Sequence, residues 1–200
     1  MLFRSPNWSQ AVLSKNIEFK YGGKDIQIPV KYEKDVVTFF KNYPQTQLEV
    51  YFDAPMSTEA NFTMLSALRP LVESRSEIEA VNILLRFVQT AFPYQTDDQQ
   101  FGREKYLMPE ETLFYPNSDC EDRSILFAYL VKHLLALRVV GLDYPGHIAT
   151  AILFTTPVSG KTISYKNMIF TVCDPTFVNA DAGMCMPQYQ DVEPKIISMF

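Results

Sequence analysis

The stretch Asn117-Ser118-Asp119-Cys120-Glu121-Asp122-Arg123-Ser124 places a cysteine where a polar loop turns into a strongly apolar helix. The residues beyond it, Ile125, Phe127, Ala128, Leu130, Val131, Leu134 and Leu135, make a face broad enough to be buried in the middle of a domain. A helix buried in that way holds its first turn rigidly. Cys120, in that turn, sits among unpaired backbone N–H groups at the positive end of the helix macrodipole, where a thiolate and any oxyanion formed beside it are stabilised. A lone cysteine is more often a small buried hydrophobe, so the remaining residues have to decide between packing and chemistry.

Composition narrows the classes. The chain has 200 residues, 47% hydrophobic and 20% charged, which fits one compact domain with a small N-terminal extension. A net charge of −5 and the absence of any Lys/Arg-rich run argue against a nucleic-acid partner. The longest apolar stretch, Ile125 to Gly141, is interrupted by Lys132, His133 and Arg138 and is too short and too polar to cross a bilayer. Met1-Leu2-Phe3-Arg4-Ser5-Pro6 is not followed by the continuous apolar segment of a signal peptide, so no export signal is expected here. Cys120, Cys173 and Cys185 with two histidines do not fall into zinc spacings. One bridge, Cys173 to Cys185, would leave Cys120 free, although nothing in the sequence forces it.

Along the chain, residues 1–16 contain the only tryptophan, Trp8, and are expected to be a loose lead-in or a short helix around Gln10 to Ser14. Ile17, Phe19 and Tyr21, then Gly22-Gly23, then Ile26, Ile28 and Val30 spell a β-hairpin, with Pro29 placing its second strand at an edge. Val36 to Phe40 is ambiguous, whereas Leu48, Val50 and Phe52 alternate as a strand would. Residues 1–55 are therefore expected to form a β-rich extension. The period then changes. Phe62, Leu65, Leu68 and Leu71 repeat at helical spacing, with Pro70 kinking or ending the segment. Ser76-x-x-Glu79 is a capping box opening a helix whose stripe is Ile78, Val81, Leu85, Val88 and Phe92. Tyr94 to Leu113 is polar and irregular and leads straight into the cysteine helix, so it is expected to wall any cleft there. Strands follow at Val139 to Leu142, His147 to Phe154, Ile169 to Asp174 and Lys195 to Met199, with a turn at Pro157-Val158-Ser159-Gly160. Helices first and antiparallel strands afterwards predict an α+β fold.

A cysteine nucleophile needs a base, and the chain offers His133 and His147. His133 is about 20 Å along the helix from Cys120 at 1.5 Å per residue and on another face, which rules it out. His147 follows Tyr144-Pro145-Gly146 at a strand start, where a turn can aim the imidazole into a cleft. A hairpin register with its midpoint between Gly160 and Lys161 sets Asp174 beside His147, so that the carboxylate accepts the imidazole N–H as the third member of a triad. Asp143 is the rival orienter.

These residues resemble a known family. Asp119-Cys120-Glu121-Asp122-Arg123-Ser124 on a helix, Tyr144-Pro145-Gly146-His147 before a strand and Asp174-Pro175-Thr176 after the next one look like the Cys, His and Asp motifs of the transglutaminase-like superfamily, closest to its bacterial cysteine-peptidase-like branch. The resemblance covers roughly Ser76 to Pro187 in the correct chain order, and residues 56–200 are taken as the catalytic domain. It implies a papain-like core with the nucleophile helix packed on an antiparallel sheet, Cys120 as nucleophile, His147 as base and Asp174 as orienter. It also implies a protein or peptide substrate and an acyl-enzyme intermediate, and, as in many bacterial relatives, work outside the cytoplasm. No tryptophan flanks Cys120, in contrast to animal transglutaminases. Hydrolysis is expected, with amine transfer or a non-catalytic binding module as alternatives.

Glu121 and Asp122 are turned about 100° and 200° from Cys120 around the helix; helix capping is their expected role, and a calcium held by Asp119, Glu121 or Asp122 is the alternative. No other cofactor is expected. With an assembled triad, Cys120 is expected to be a thiolate paired with a charged His147.

Overall fold

The computed structural model describes residues 11–41 and 43–198. Trp8 lies outside them. Strands β1 (Val12–Tyr21) and β2 (Lys24–Glu33) form the antiparallel hairpin that the alternation predicts, turning at Gly22-Gly23. Val12 to Ser14 belong to β1, not to a helix, because they pair with Glu33, Tyr32 and Lys31. Helix α1 (Lys34–Lys41) settles the ambiguous segment. The alternation Leu48, Val50, Phe52 misleads: it is a short helix, α2 (Leu48–Phe52), with Tyr51 and Phe52 buried and Val50 exposed.

Helix α3 (Thr58–Val72) runs through Pro70, which sits in its last turn. Its buried face is Ala60, Met64, Leu68 and Val72; Phe62 is 67% exposed, so the stripe read from the sequence is rotated by half a turn at its start. Helix α4 (Glu77–Ala91) opens on the Ser76/Glu79 capping box and buries Val81, Leu85 and Val88, with Phe92 just beyond its end. The hairpin lies against α3 and α4: Phe19 meets Phe87 edge to face at 5.2 Å, and Ile17, Phe19, Ile28 and Val30 share one core with both helices. The irregular segment contains two short helices, α5 (Asp97–Phe101) and α6 (Pro109–Phe114). Buried Glu110 of α6 ties three parts together, accepting from Glu33 N, Ser57 N and Ser57 Oγ.

Helix α7 (Cys120–Leu135) is buried on every side from Cys120 through Val131. It packs between the helices and one face of a five-stranded antiparallel sheet in the order β5-β6-β4-β3-β7, made of β3 (Arg138–Tyr144), β4 (His147–Leu153), β5 (Thr162–Tyr165), β6 (Met168–Cys173) and β7 (Lys195–Ile197). The fold is α+β. The opposite sheet face carries a smaller apolar cluster, Val140, Leu142, Tyr144, Phe170 and Val172 among it, closed by Cys185 and Tyr189.

β4 and β6 pair, but not through a simple hairpin. The turn at Pro157 to Gly160 leads into β5, which the sequence did not announce, and a second tight turn at Lys166-Asn167, both at positive φ, returns the chain as β6 between β5 and β4. The register is Thr150 to Cys173, two residues from the one that would set His147 opposite Asp174. Cys173 and Cys185 are both free and buried, so no bridge joins them.

Candidate active site

Three local devices converge on one cavity. The first is the start of α7. Asp119 is the N-cap, its Oδ1 accepting from Asp122 N, while Asp122 Oδ2 accepts from Asp119 N, a reciprocal box that fixes the turn carrying Cys120. One turn on, Ser124 Oγ donates to Ile148 O at 3.0 Å, which clamps the helix start to the beginning of β4. Cys120 is 9% exposed.

The second device is the β3–β4 turn. Tyr144 pairs with His147 across Pro145-Gly146, and Gly146 at φ 72 takes the left-handed conformation that the second central position of such a turn requires. His147 therefore begins β4 next to the residue that α7 clamps. It lines the same cavity as Cys120.

The third is the chain leaving β6. Asp174 folds back on itself, Oδ1 accepting from Thr176 N at 2.9 Å and Phe177 N at 3.1 Å. That leaves Oδ2 directed at His147 Nε2, 2.9 Å away, in a pair whose side chains are only 7% and 3% exposed. The carbonyl of Asp174 accepts from Gln89 of α4. The two-residue register offset is bridged by the side chains, because Asp174 lies past the end of the strand, where the backbone is free to turn. Nε2 is given to Asp174, which leaves Nδ1 as the ring nitrogen for proton transfer in the cavity, while the Cys120 sulfur is hydrogen-bonded to Glu121. Asp143, the rival, lines the cavity at its rim, and His133 lies against Tyr129, ring centroids 4.3 Å apart and planes tilted by 37°, near the far end of α7.

The cavity, about 360 Å³, is walled on one side by the segment expected to do so: Tyr94, Thr96, Asp97, Asp98, Glu104 and Tyr106. A parallel bridge between Tyr94 and Ser118, with Gln95 N donating to Ser118 O, holds that wall beside the helix start. The Tyr94 phenol is pushed up to about 12 by burial and then by Cys120, Asp119 and Glu121. Arg123 is buried under it, 5.3 Å from the Tyr94 ring, and donates to Ser118 Oγ and Phe92 O. Tyr94 had no individual signal in the sequence.

One expectation is corrected here. Cys120 Sγ donates to Glu121 Oε2 at 2.8 Å. Burial, then the Glu121 carboxylate, push the thiol well above its ordinary range, so the resting group is a thiol and not a thiolate paired with His147. Although adjacent helix positions diverge, the glutamate side chain is long enough to return to its neighbour. Burial raises the Glu121 and Glu104 carboxyls.

Asp97, Asp119 and Asp122 bring one carboxylate oxygen each within 4.8 Å of the others. Burial first, then neighbouring carboxylates (Asp119 on Asp97 and Asp122, Glu121 on Asp119), lift Asp97 and Asp119 to about 7 and Asp122 well above its ordinary value. These oxygens also serve the backbone: Asp97 Oδ2 accepts from Lys105 N and Asp122 Oδ1 from Leu107 N, besides the reciprocal cap. Of the acids named as calcium donors, Asp119 and Asp122 come together, joined by Asp97, while Glu121 is turned to the thiol.

Among the described residues no helix is long and apolar enough to cross a membrane. Compared with known proteins, the chain matches no family model and no curated protein.

Proposed function

We propose that the chain is a thiol-dependent amide or peptide hydrolase working through Cys120, His147 and Asp174, on a papain-like core of the transglutaminase-like kind. The observation that carries this reading is the Asp174–His147 hydrogen bond of 2.9 Å, with the second Asp174 oxygen pinned by two backbone N–H groups, opening onto a cavity shared with Cys120. A helix carrying the cysteine, packed on an antiparallel sheet whose strand start and neighbouring strand end supply the histidine and aspartate, is the arrangement that core requires.

In the reaction, His147 Nδ1 takes the Cys120 proton and the sulfur adds to the substrate carbonyl carbon. The carbonyl oxygen becomes an oxyanion beside the first-turn N–H groups of α7. The imidazolium, stabilised by Asp174, returns its proton to the leaving nitrogen as the C–N bond breaks, giving a thioester. Water, deprotonated by His147, then cleaves the thioester and restores the thiol. An amine in place of that water would give amide transfer.

Incubation with glutamine- and lysine-containing peptides tests the reading. Ammonia release without cross-linking, together with a thioester on Cys120 detected by mass spectrometry, is the expected result. Cross-linked product would replace hydrolysis by amine transfer. Activity that survives both Cys120→Ala and His147→Ala would sink the triad.

A further inference from the structure

The loop that begins at Asp174 does more than end a strand. It passes Gly183, held at φ 91 between Gly183 N to Val172 O and Lys161 N to Gly183 O, each 2.8 Å. A side chain there would collide with Ser159 O, 2.1 Å from the position of a Cβ, so the loop lies directly on the turn before β5. The loop then reaches a 3₁₀ turn, Pro187–Tyr189. Gln190 Nε2 donates to Cys185 O, and Lys161 Nζ to Gln190 O, which hold this turn from both sides.

Tyr189 is thereby laid flat on the His147 imidazole: the ring centroids are 5.1 Å apart and the planes differ by 8°. Its other contact is Tyr144, 4.8 Å away at 30°, and its hydroxyl donates to Pro145 O at 3.4 Å. Tyr144 itself stands 6.5 Å from His147 at 22°. Tyr189 does not line the cavity that holds Cys120.

We propose that Tyr189 is a positioning residue for the base, clamping the imidazole plane and shielding the His147–Asp174 hydrogen bond from water on the side away from the substrate. An imidazole can rotate about its Cβ–Cγ bond, and a single hydrogen bond at Nε2 fixes one point of the ring only. A parallel ring fixes the plane, so that Nδ1 keeps one direction during both proton transfers. The same loop supplies both restraints, Asp174 at its start and Tyr189 near its end. The role in catalysis rests on His147 being the base; the clamp itself does not.

The test is proton NMR of the whole chain with Tyr189→Phe and Tyr189→Leu. In the native protein the His147 ring protons carry an upfield ring-current shift, and the Nε2 proton exchanges slowly with water. Tyr189→Phe keeps both. Tyr189→Leu loses the ring-current shift, exchanges the Nε2 proton at least tenfold faster, and lowers turnover about tenfold at unchanged KM. His133, packed against Tyr129 far from this loop, is the internal control and stays in place. If its resonances also move, the leucine variant has lost the fold, and Tyr189→Met, which fills the same space without a ring, carries the test. Retention of slow exchange and of turnover in the ringless variant overturns the proposal. So does a phenylalanine variant as impaired as the leucine one, since the hydroxyl bond to Pro145 would then be the operative contact. A changed NMR signature with no enzymatic activity in the native protein would leave the clamp standing and remove the hydrolase reading.

Discussion

Cys120 and Glu121, adjacent on α7, are joined by a thiol-to-carboxylate hydrogen bond of 2.8 Å at the floor of the cavity. Because burial and that carboxylate both raise the thiol's pKa, the thiolate fraction at neutral pH is small. Alkylation by iodoacetamide at pH 7 is therefore expected to be slower than that of free cysteine. Glu121→Gln removes the negative neighbour, which lowers the thiol's pKa and is expected to raise the neutral-pH alkylation rate about tenfold. A slower or unchanged rate in that variant would mean that Glu121 does not hold the thiol in its protonated form.

Asp174→Asn tests the other end of the site. Asparagine keeps an oxygen for Thr176 N and Phe177 N but turns an N–H₂ toward His147 Nε2, which then carries its proton on the wrong nitrogen. A loss of about 10³–10⁴-fold in turnover at pH 7 is expected from the tautomer alone. The loss should persist at pH 9, because burial and the Glu121 carboxylate keep the Cys120 thiol protonated well above its ordinary range, so the sulfur still depends on a correctly protonated base. No loss at pH 7 would remove Asp174 from the mechanism.

Much of this site is visible in the sequence because its three parts are each marked by local chemistry: a cap before Cys120, a Pro-Gly turn before His147, and an aspartate followed by proline after a strand. The fold was legible where period and punctuation agreed, as in the hairpin at Gly22-Gly23 and the capped helix from Ser76. Leu48, Val50 and Phe52 show the opposite case, since five residues satisfy alternation and a single helical turn equally well, and tertiary contact decides. β5 was missed because Thr162 to Tyr165 is too short to show a pattern. The Glu121 contact and the Tyr189 stack depend on side-chain conformation and on loop return across 42 residues of chain, from His147 to Tyr189, and neither leaves a periodic trace.

Ser124→Ala isolates the clamp between helix and sheet. The substitution leaves Ile148 O without its Ser124 partner, 3.0 Å away inside the core, at a cost of about 1–3 kcal/mol. Urea denaturation should show that loss with an unchanged m-value. Turnover should fall by more than substrate affinity, because the bond sets the separation of Cys120 from the residue next to His147. A stability change below a few tenths of a kcal/mol would show that packing of α7 alone holds the two together.

The buried acids make stability pH-dependent with a definite sign. Asp97 titrates near 7 in the folded chain and near 4 when unfolded, so between those values the folded state binds the extra proton. Its contribution is fully present below about pH 4 and is lost as the pH rises through about 7. Asp97→Asn keeps an oxygen for Lys105 N without the charge. Its Tm should exceed that of the native chain by a few degrees at pH 8 and differ little at pH 5. A Tm lowered at pH 8 would mean that the Asp97 charge is compensated there by a bound cation, which calcium titration followed by the same melt would reveal.

The cavity's lining also sets which reagents and substrates enter it. Asp97, Asp98, Glu104, Asp119, Glu121 and Asp143 line it together with Cys120 and His147, and among the described residues no lysine or arginine does. Glu104 and Asp98 are exposed at the rim, so an approaching cation meets negative charge before it reaches the sulfur. Trimethylammonioethyl and sulfonatoethyl methanethiosulfonate are matched in size and differ in sign of charge, which makes their rates at Cys120 a direct reading of this field. The cationic reagent is expected to react at least tenfold faster in low salt. The ratio should fall several-fold at 0.5 M salt, as screening shortens the reach of the rim charges to about 4–5 Å. Peptides with lysine or arginine beside the cleaved amide should then show a lower KM than those with glutamate at the same place. Equal rates for the two reagents at low salt would mean that the acids are neutral in the folded chain, and the preference for basic peptides would fall with them.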